Sequence, residues 1–184
     1  MFHQIISFLL DVFAGLLGGA CLLRLYMQMQ YIGFANPVGR LVFALTDWLV
    51  LPLRRVVPAV GRLDTSSLLA AFLLEVGQFS ALWVLFDSRS SFAAVLVLAV
   101  FAVVRLVLSG LTGLLIIYSI LSWVGNRTPI SDVIERLCAP PLQPIRRLVP
   151  LVGGMDLSPL VLLVLLQVLT IMVGGLQAQI LHAL

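Results

Sequence analysis

The sequence predicts an all-α membrane protein with four transmembrane helices. They form two parallel tandem repeats, each built as helix, interfacial amphipathic helix, helix. Three observations carry this prediction. The 184 residues are 61% hydrophobic and only 10% charged, and the mean hydropathy is +1.16. A soluble domain must carry charge on its surface, so the solvent for such a chain is the bilayer. Four stretches are apolar over about 20 residues, the length that crosses a hydrocarbon core. Finally, one tract is written twice. Residues 52–68 (PLRRVVPAVGRLDTSSL) and 144–160 (PIRRLVPLVGGMDLSPL) align without a gap at an offset of 92, with ten of seventeen positions identical. The same offset pairs Gly18 with Gly110, Tyr26 with Tyr118 and Pro37 with Pro129, so the chain is a duplication of one unit.

The first repeat is expected over residues 1–91. Its first span runs from about residue 5 to 31. Asn36-Pro37 then reads as an N-cap followed by proline at the first helical position, opening an interfacial helix over about 37–51. Its second span covers about 67–86. The second repeat, 92–184, starts with an apolar run from Phe92 to Val124. At ~1.5 Å per residue that run would reach ~50 Å, too long for a simple span. Arg105 suggests a division into a span over 105–124 and an interfacial or tilted extension over 92–104. Thr128-Pro129 opens the second interfacial helix, about 129–139. There Ser131, Asp132, Glu135 and Arg136 fall opposite Ile130, Val133, Ile134 and Leu137, the spacing of an amphipathic helix. The last span is about 158–181.

Within the repeated tract, Pro52, Pro58, Pro144 and Pro150 are expected to end the interfacial helices. Gly61 and Gly153 are structural positions of the same repeated motif. Ser66 and Ser158 cap the next span, with Asp64 and Asp156 near the positive end of its dipole.

All eleven cationic side chains are arginine, the net charge is +3 and the pI is 9.4. The connections 32–66 and 125–157 carry four arginines each, and neither terminus carries any. The positive-inside rule therefore places both connections in the cytoplasm and both termini outside. Topology accounts for the basic charge, so direct nucleic-acid binding is not expected. The opening MFHQ has no basic region of the kind that starts a cleavable signal peptide.

Two charge groups are candidate sites. Arg54-Arg55 and Arg146-Arg147 either bind anionic lipid headgroups or an acidic partner, or simply set topology, with an internal pair to Asp64 or Asp156. Asp11, Arg24, Glu75 and Arg105 lie inside or at the edges of spans, where a lone charge costs several kcal/mol. Depth along the helices suggests Arg24–Glu75 and Asp11–Arg105 pairs. Arg24 and Glu75 correspond in the second repeat to Ile116 and Gln167, which favours structural pairing over a path built into the fold. Gly15-x-x-x-Gly19, Ser109-x-x-x-Gly113 and Gly174-x-x-x-Ala178 permit close helix approach or a homodimer face. The Gly18/Gly110 match puts the first and third spans near the pseudo-twofold axis. The only histidines, His3 and His182, and the only cysteines, Cys21 and Cys138, form no metal or nucleophile motif, so no cofactor, metal or catalytic set is expected.

Tyr118-Ser-Ile-Leu-Ser-Trp123, Pro140-Pro141-Leu-Gln-Pro144-Ile-Arg-Arg147-x-x-Pro150 and Gly153-Gly-Met-Asp156-Leu-Ser-Pro159 resemble the YggT family of small integral membrane proteins. The first repeat departs from the pattern at Arg62, Ser67 and Gln30-Tyr31. The resemblance covers almost the whole chain and implies a bacterial inner-membrane protein with plastid relatives. Plastid members are associated with haem attachment to cytochrome b6 and with nucleoid distribution. Bacterial members are linked to cell-division gene clusters and to osmotic or potassium-related growth. The resulting expectation is a non-enzymatic scaffold or assembly factor whose basic cytoplasmic face binds anionic phospholipid or a membrane protein partner, with homo-oligomers open. The alternative is a small channel or transport modulator in osmotic or potassium homeostasis, with Arg24, Glu75 and Gln167 near its path.

Overall fold

The computed structural model describes residues 1–57, 61, 63–86, 91–124, 128–148 and 156–183. Pro58, Arg62, Pro150 and Gly153 of the repeated tracts lie outside the described residues. Six helices follow in order: α1 (Phe2–Met29), α2 (Pro37–Val56), α3 (Thr65–Phe86), α4 (Phe92–Val124), α5 (Pro129–Leu148) and α6 (Ser158–Ala183). Four of them, α1, α3, α4 and α6, are long and apolar enough to cross a membrane, and most of their large side chains face outward. The fold is that of a multi-pass membrane protein. Within it α1 packs on α3, α3 on α4 and α4 on α6, while α1 also meets α4.

The α1–α4 contact is close because of one glycine. A Cβ on Gly18 would come 2.9 Å from Leu106 Cδ2. Its counterpart Gly110, and Gly15, Gly19, Gly113 and Gly174 of the small-residue spacings, face open space instead, so those spacings do not close the helices of a single chain.

α2 and α5 begin as expected. Gly39 N donates to Asn36 Oδ1 at 2.8 Å, and Ser131 N donates to Thr128 Oγ1 at 3.2 Å. Both bury an i, i+4, i+8 stripe at equivalent positions: Val42, Thr46 and Val50 in α2, and Ile134, Cys138 and Leu142 in α5. α1 hands over to α2 through a Schellman turn. Tyr31, at φ 53°, donates to Gln28 O, and Ile32 donates to Met27 O at 3.0 Å. Met27, Ile32 and Val42 then meet Val133 and Leu137 of α5, which joins the two repeats on the α2/α5 side.

Four boundaries differ from the sequence expectation. α4 is one continuous helix across Arg105, since an arginine whose head reaches a cavity does not interrupt the backbone. α2 and α5 run through Pro52 and Pro144 to Val56 and Leu148. A proline inside a helix loses one N–H and frees the carbonyl four residues earlier. Pro52 and Pro144 are both exposed, where solvent or headgroups can serve that carbonyl. α3 starts at Thr65, and its cap is Asp64, not Ser66. Ser67 N and Ser67 Oγ donate to the Asp64 carboxylate at 3.4 and 2.8 Å. Ser66 Oγ donates back to Val57 O at 2.6 Å, tying the start of α3 to the end of α2. At α6, Ser158 is the first helical residue and its N–H donates to Asp156 Oδ1 at 2.9 Å. A carboxylate offers a stronger acceptor than a hydroxyl at the positive end of a helix, and the two aspartates take that position. Gly61 turns between α2 and α3 at φ 61°, a conformation open to glycine.

Pro141 frees a buried carbonyl, that of Leu137, whose residue has no exposed surface. Tyr26 Oη, from the other repeat, donates to it at 2.8 Å. Tyr26→Phe is therefore expected to cost about 1–3 kcal/mol, the cost of an orphaned buried acceptor. Adding Pro141→Ala, which restores an N–H at residue 141, should recover part of that loss in thermal unfolding of the detergent-solubilised chain. A Tyr26→Phe loss that Pro141→Ala does not reduce would rule out this role for the phenol.

Candidate functional site

Two polar layers cross the apolar bundle. The first lies toward α2, where α1, α2 and α3 meet. Arg24 of α1 is 3% exposed. Its Nη1 donates to Thr46 Oγ1 at 2.8 Å and to Asp47 Oδ1 at 2.6 Å. Its Nε lies 3.9 Å from Asp64 Oδ2, and its Cζ sits 4.6 Å over the Phe43 ring. Arg54 closes on the same Asp64 oxygen in a direct ion pair. Two guanidinium groups thus meet two carboxylates: the buried Arg24 and Asp64 sum to zero, and the partly exposed Asp47 and Arg54 pair with them from the rim.

The second repeat keeps part of this arrangement at its surface. Arg146 Nε donates to Asp156 Oδ2 at 2.8 Å, and Arg146 Nη2 to Tyr118 Oη at 2.7 Å. The second cation is missing, because Ile116 stands where Arg24 would, and Cys138 and Ala139 replace Thr46 and Asp47. Burial pushes the Cys138 thiol up to about 11, and its Sγ faces Leu114 O at 3.5 Å. Burial opposes the charge on Asp156, but hydrogen bonds from Ser158 and Arg146 outweigh it and hold the carboxyl below its usual range. A carboxyl depressed in the folded state adds stability above its unfolded value of about 3.9 and loses it as the pH falls through the lower folded value. Below about pH 4 the wild type should therefore lose a contribution of under about 1 kcal/mol that Asp156→Asn never had. Identical acid unfolding curves would contradict this.

The repeated Arg pairs accordingly divide. Arg54 and Arg146 are held by Asp64 and Asp156. Arg55 and Arg147, one residue on, are exposed and make no ion pair among the described residues.

The second polar layer lies in the half of the bundle nearer the termini. Asp11, Glu75, Gln78, Arg105, Ser109 and Thr170 line one cavity of about 270 Å³. It sits between α1, α3 and α4, with Thr170 of α6 on its remaining side. α6 rests on α4 and α5, leaving this region open. Gln78 is 6% exposed and its amide donates to the Asp11 carboxylate. Glu75 is 5% exposed and makes no hydrogen bond or ion pair among the described residues. Arg105 reaches neither carboxylate within 4 Å.

The Arg24–Glu75 pair expected from depth is not formed. Glu75 Oε1 lies 3.7 Å from where a Gly18 Cβ would be. Gly18 precedes Arg24 by six residues, ~9 Å at ~1.5 Å per residue. The long Arg24 side chain extends the other way, toward Asp47 and Asp64, carrying its charge to the polar end of the bundle. Asp11 and Arg105 share a cavity wall but not a direct ion pair, because the Gln78 amide occupies Asp11. Gln167, the counterpart of Glu75, is exposed on α6. Sequence reasoning missed Thr46, Asp47 and Gln78 as partners. Their equivalents Cys138, Ala139 and Thr170 gave no repeated pattern to notice. His3, expected near the terminal side, stacks edge-on against Phe86 at 4.3 Å.

The chain matches the CCB3/YggT family twice, over residues 3–85 and 97–177. It is 36% identical over 165 residues to "Uncharacterized protein YggT" of Escherichia coli (strain K12), covering 89% of this chain and 86% of that protein. It is also 36% identical over 171 residues to "Uncharacterized protein in proC 3'region" of Vibrio alginolyticus, covering 91% and 92% of the two chains. No solved structure matches. With both repeats matched by the family and relatives at this identity covered over most of their length, the chain belongs to the CCB3/YggT family.

Proposed function

We propose that the chain is a non-enzymatic scaffold or assembly factor of the bacterial inner membrane. Its α2/α5 side faces the cytoplasm and its termini face outward, following the arginine distribution between connections. Arg55 and Arg147 contact anionic phospholipid or an acidic partner there. The observation that carries this reading is the division of the Arg pairs: at equivalent places in both repeats, the first arginine is paired with an aspartate, and the second is exposed and makes no ion pair among the described residues. An exposed arginine at a membrane surface is worth about 1 kcal/mol toward anionic lipid. Native mass spectrometry of the chain released from phosphatidylglycerol-containing nanodiscs tests the reading. Arg55→Ala with Arg147→Ala should retain fewer anionic lipids at unchanged thermal stability. Equal lipid retention by that variant and the wild type would sink the lipid-binding reading.

A second reading, a small channel or transport modulator in osmotic or potassium homeostasis, has one supporting observation. The cavity between α1, α3 and α4 holds charged side chains inside the apolar bundle.

A further inference from the structure

Glu75 and Arg105 face one cavity from different helices without touching each other. Neither belongs to the duplicated framework. Under the offset of 92, Glu75 corresponds to Gln167, Arg105 to Phe13 and Asp11 to Val103. At each of these three places the other repeat builds the equivalent helix without the charge. A charge inside a span is costly, and here the shared architecture does not demand it. The usual resolution would be a closed salt bridge. Instead the carboxylates and the guanidinium stand apart across about 270 Å³. That is several times the ~30 Å³ a water molecule takes in the liquid, and lies near the lower end of small-molecule sites.

The two signs limit what can fill the gap. With Asp11 engaged by the Gln78 amide, the groups left to a ligand are one carboxylate, Glu75, and one guanidinium, Arg105, and a simple cation or a simple anion would satisfy one and leave the other unpaired. One molecule bearing both charges satisfies both ends. Its ammonium would meet Glu75, the buried carboxylate without a partner, with Asp11 beside it. Its carboxylate would meet the planar fork of Arg105, which suits carboxylates. Ser109 and Thr170 add hydroxyls on the wall. The geometry points to a binding site for a small zwitterion of the free α-amino acid class, held between Glu75 and Arg105. This site is distinct from the Arg55/Arg147 surface and stands or falls without it.

Gly15 provides a control. It lines the cavity, and a Cβ built on it meets nothing within 4 Å. Gly15→Leu should fill the space without disturbing any polar contact. The experiment is thermal unfolding of the full chain in nanodiscs with glycine, L-alanine or L-serine, each against methylammonium acetate at the same concentration. A ligand that binds the folded state raises the transition temperature by mass action. At least one amino acid should raise it, and methylammonium acetate should not. Glu75→Gln and Arg105→Gln should each abolish the shift. Gly15→Leu should keep the unliganded transition and lose the shift, which holds the test open if either charge variant fails to fold. The inference is overturned if no amino acid gives a shift, if methylammonium acetate gives an equal one, or if the shift survives in Gly15→Leu or in a folded charge variant.

Discussion

Asp64→Asn is expected to destabilise the folded chain by about 3–5 kcal/mol, the range for removing one partner of a buried ion pair. Asp64 has no exposed surface. Its carboxylate pairs with Arg54, approaches Arg24 Nε at 3.9 Å and accepts from Ser67 at the start of α3. Asparagine keeps the size and one acceptor but removes the charge, leaving Arg54 without its carboxylate and the buried Arg24 with Asp47 alone. The same substitution in the second repeat, Asp156→Asn, should cost under about 1 kcal/mol. There the side chains of Arg146 and Asp156 are 39% and 31% exposed, and solvent screens such a pair. Unfolding of both variants in one detergent gives the comparison. Equal losses would mean that burial does not separate the two copies of the motif.

Arg24→Ala should also destabilise, by about 1–3 kcal/mol, because it leaves Asp64 with Arg54 alone and removes the bonds to Asp47 and Thr46. What distinguishes the arrangement is which second mutation relieves it. Asp47→Ala combined with Arg24→Ala should fall short of the sum of the single losses by about 1 kcal/mol, a coupling held down by the 43% exposure of the Asp47 side chain. Glu75→Ala combined with Arg24→Ala should be additive to within about 0.5 kcal/mol, since those groups share no partner. Coupling to Glu75 without coupling to Asp47 would reverse the assignment made from the geometry.

The misplacement of Arg24 shows what residue counting leaves out. Depth along a span was read from backbone position, and by that measure Arg24 and Glu75 lie level. An arginine side chain extends several ångströms from its Cα and follows polarity toward the end of the helix. The proline expectation holds in part: α2 and α5 end within the tract, at Val56 and Leu148, but run through Pro52 and Pro144. A proline stops a helix only where its freed carbonyl finds no partner. At Leu137 the partner is Tyr26, 111 residues away, and nothing in the local sequence announces it. Asp64 and Asp156 were seen near the dipole but not as the caps, because Ser66 and Ser158 offered equally plausible oxygens at almost the same place. The caps of α2 and α5 and the buried face of α5 were legible, since each depends on residues within one or two turns.

By itself the sequence determined the solvent, the number of spans and the duplication, and it held an internal pair from the Arg pairs to Asp64 or Asp156 as one option beside lipid binding. Those properties follow from composition and from contacts between near neighbours. Only the tertiary structure decided that Arg24 joins Asp47 and Asp64, that Asp11, Glu75 and Arg105 face one cavity, and that α6 leaves that cavity open. Each depends on how helices are turned about their axes. At about 100° per residue, a small rotation moves a side chain from one neighbour to the next. Where a span is apolar on every side, hydropathy does not set that rotation, and the packing of neighbouring helices does.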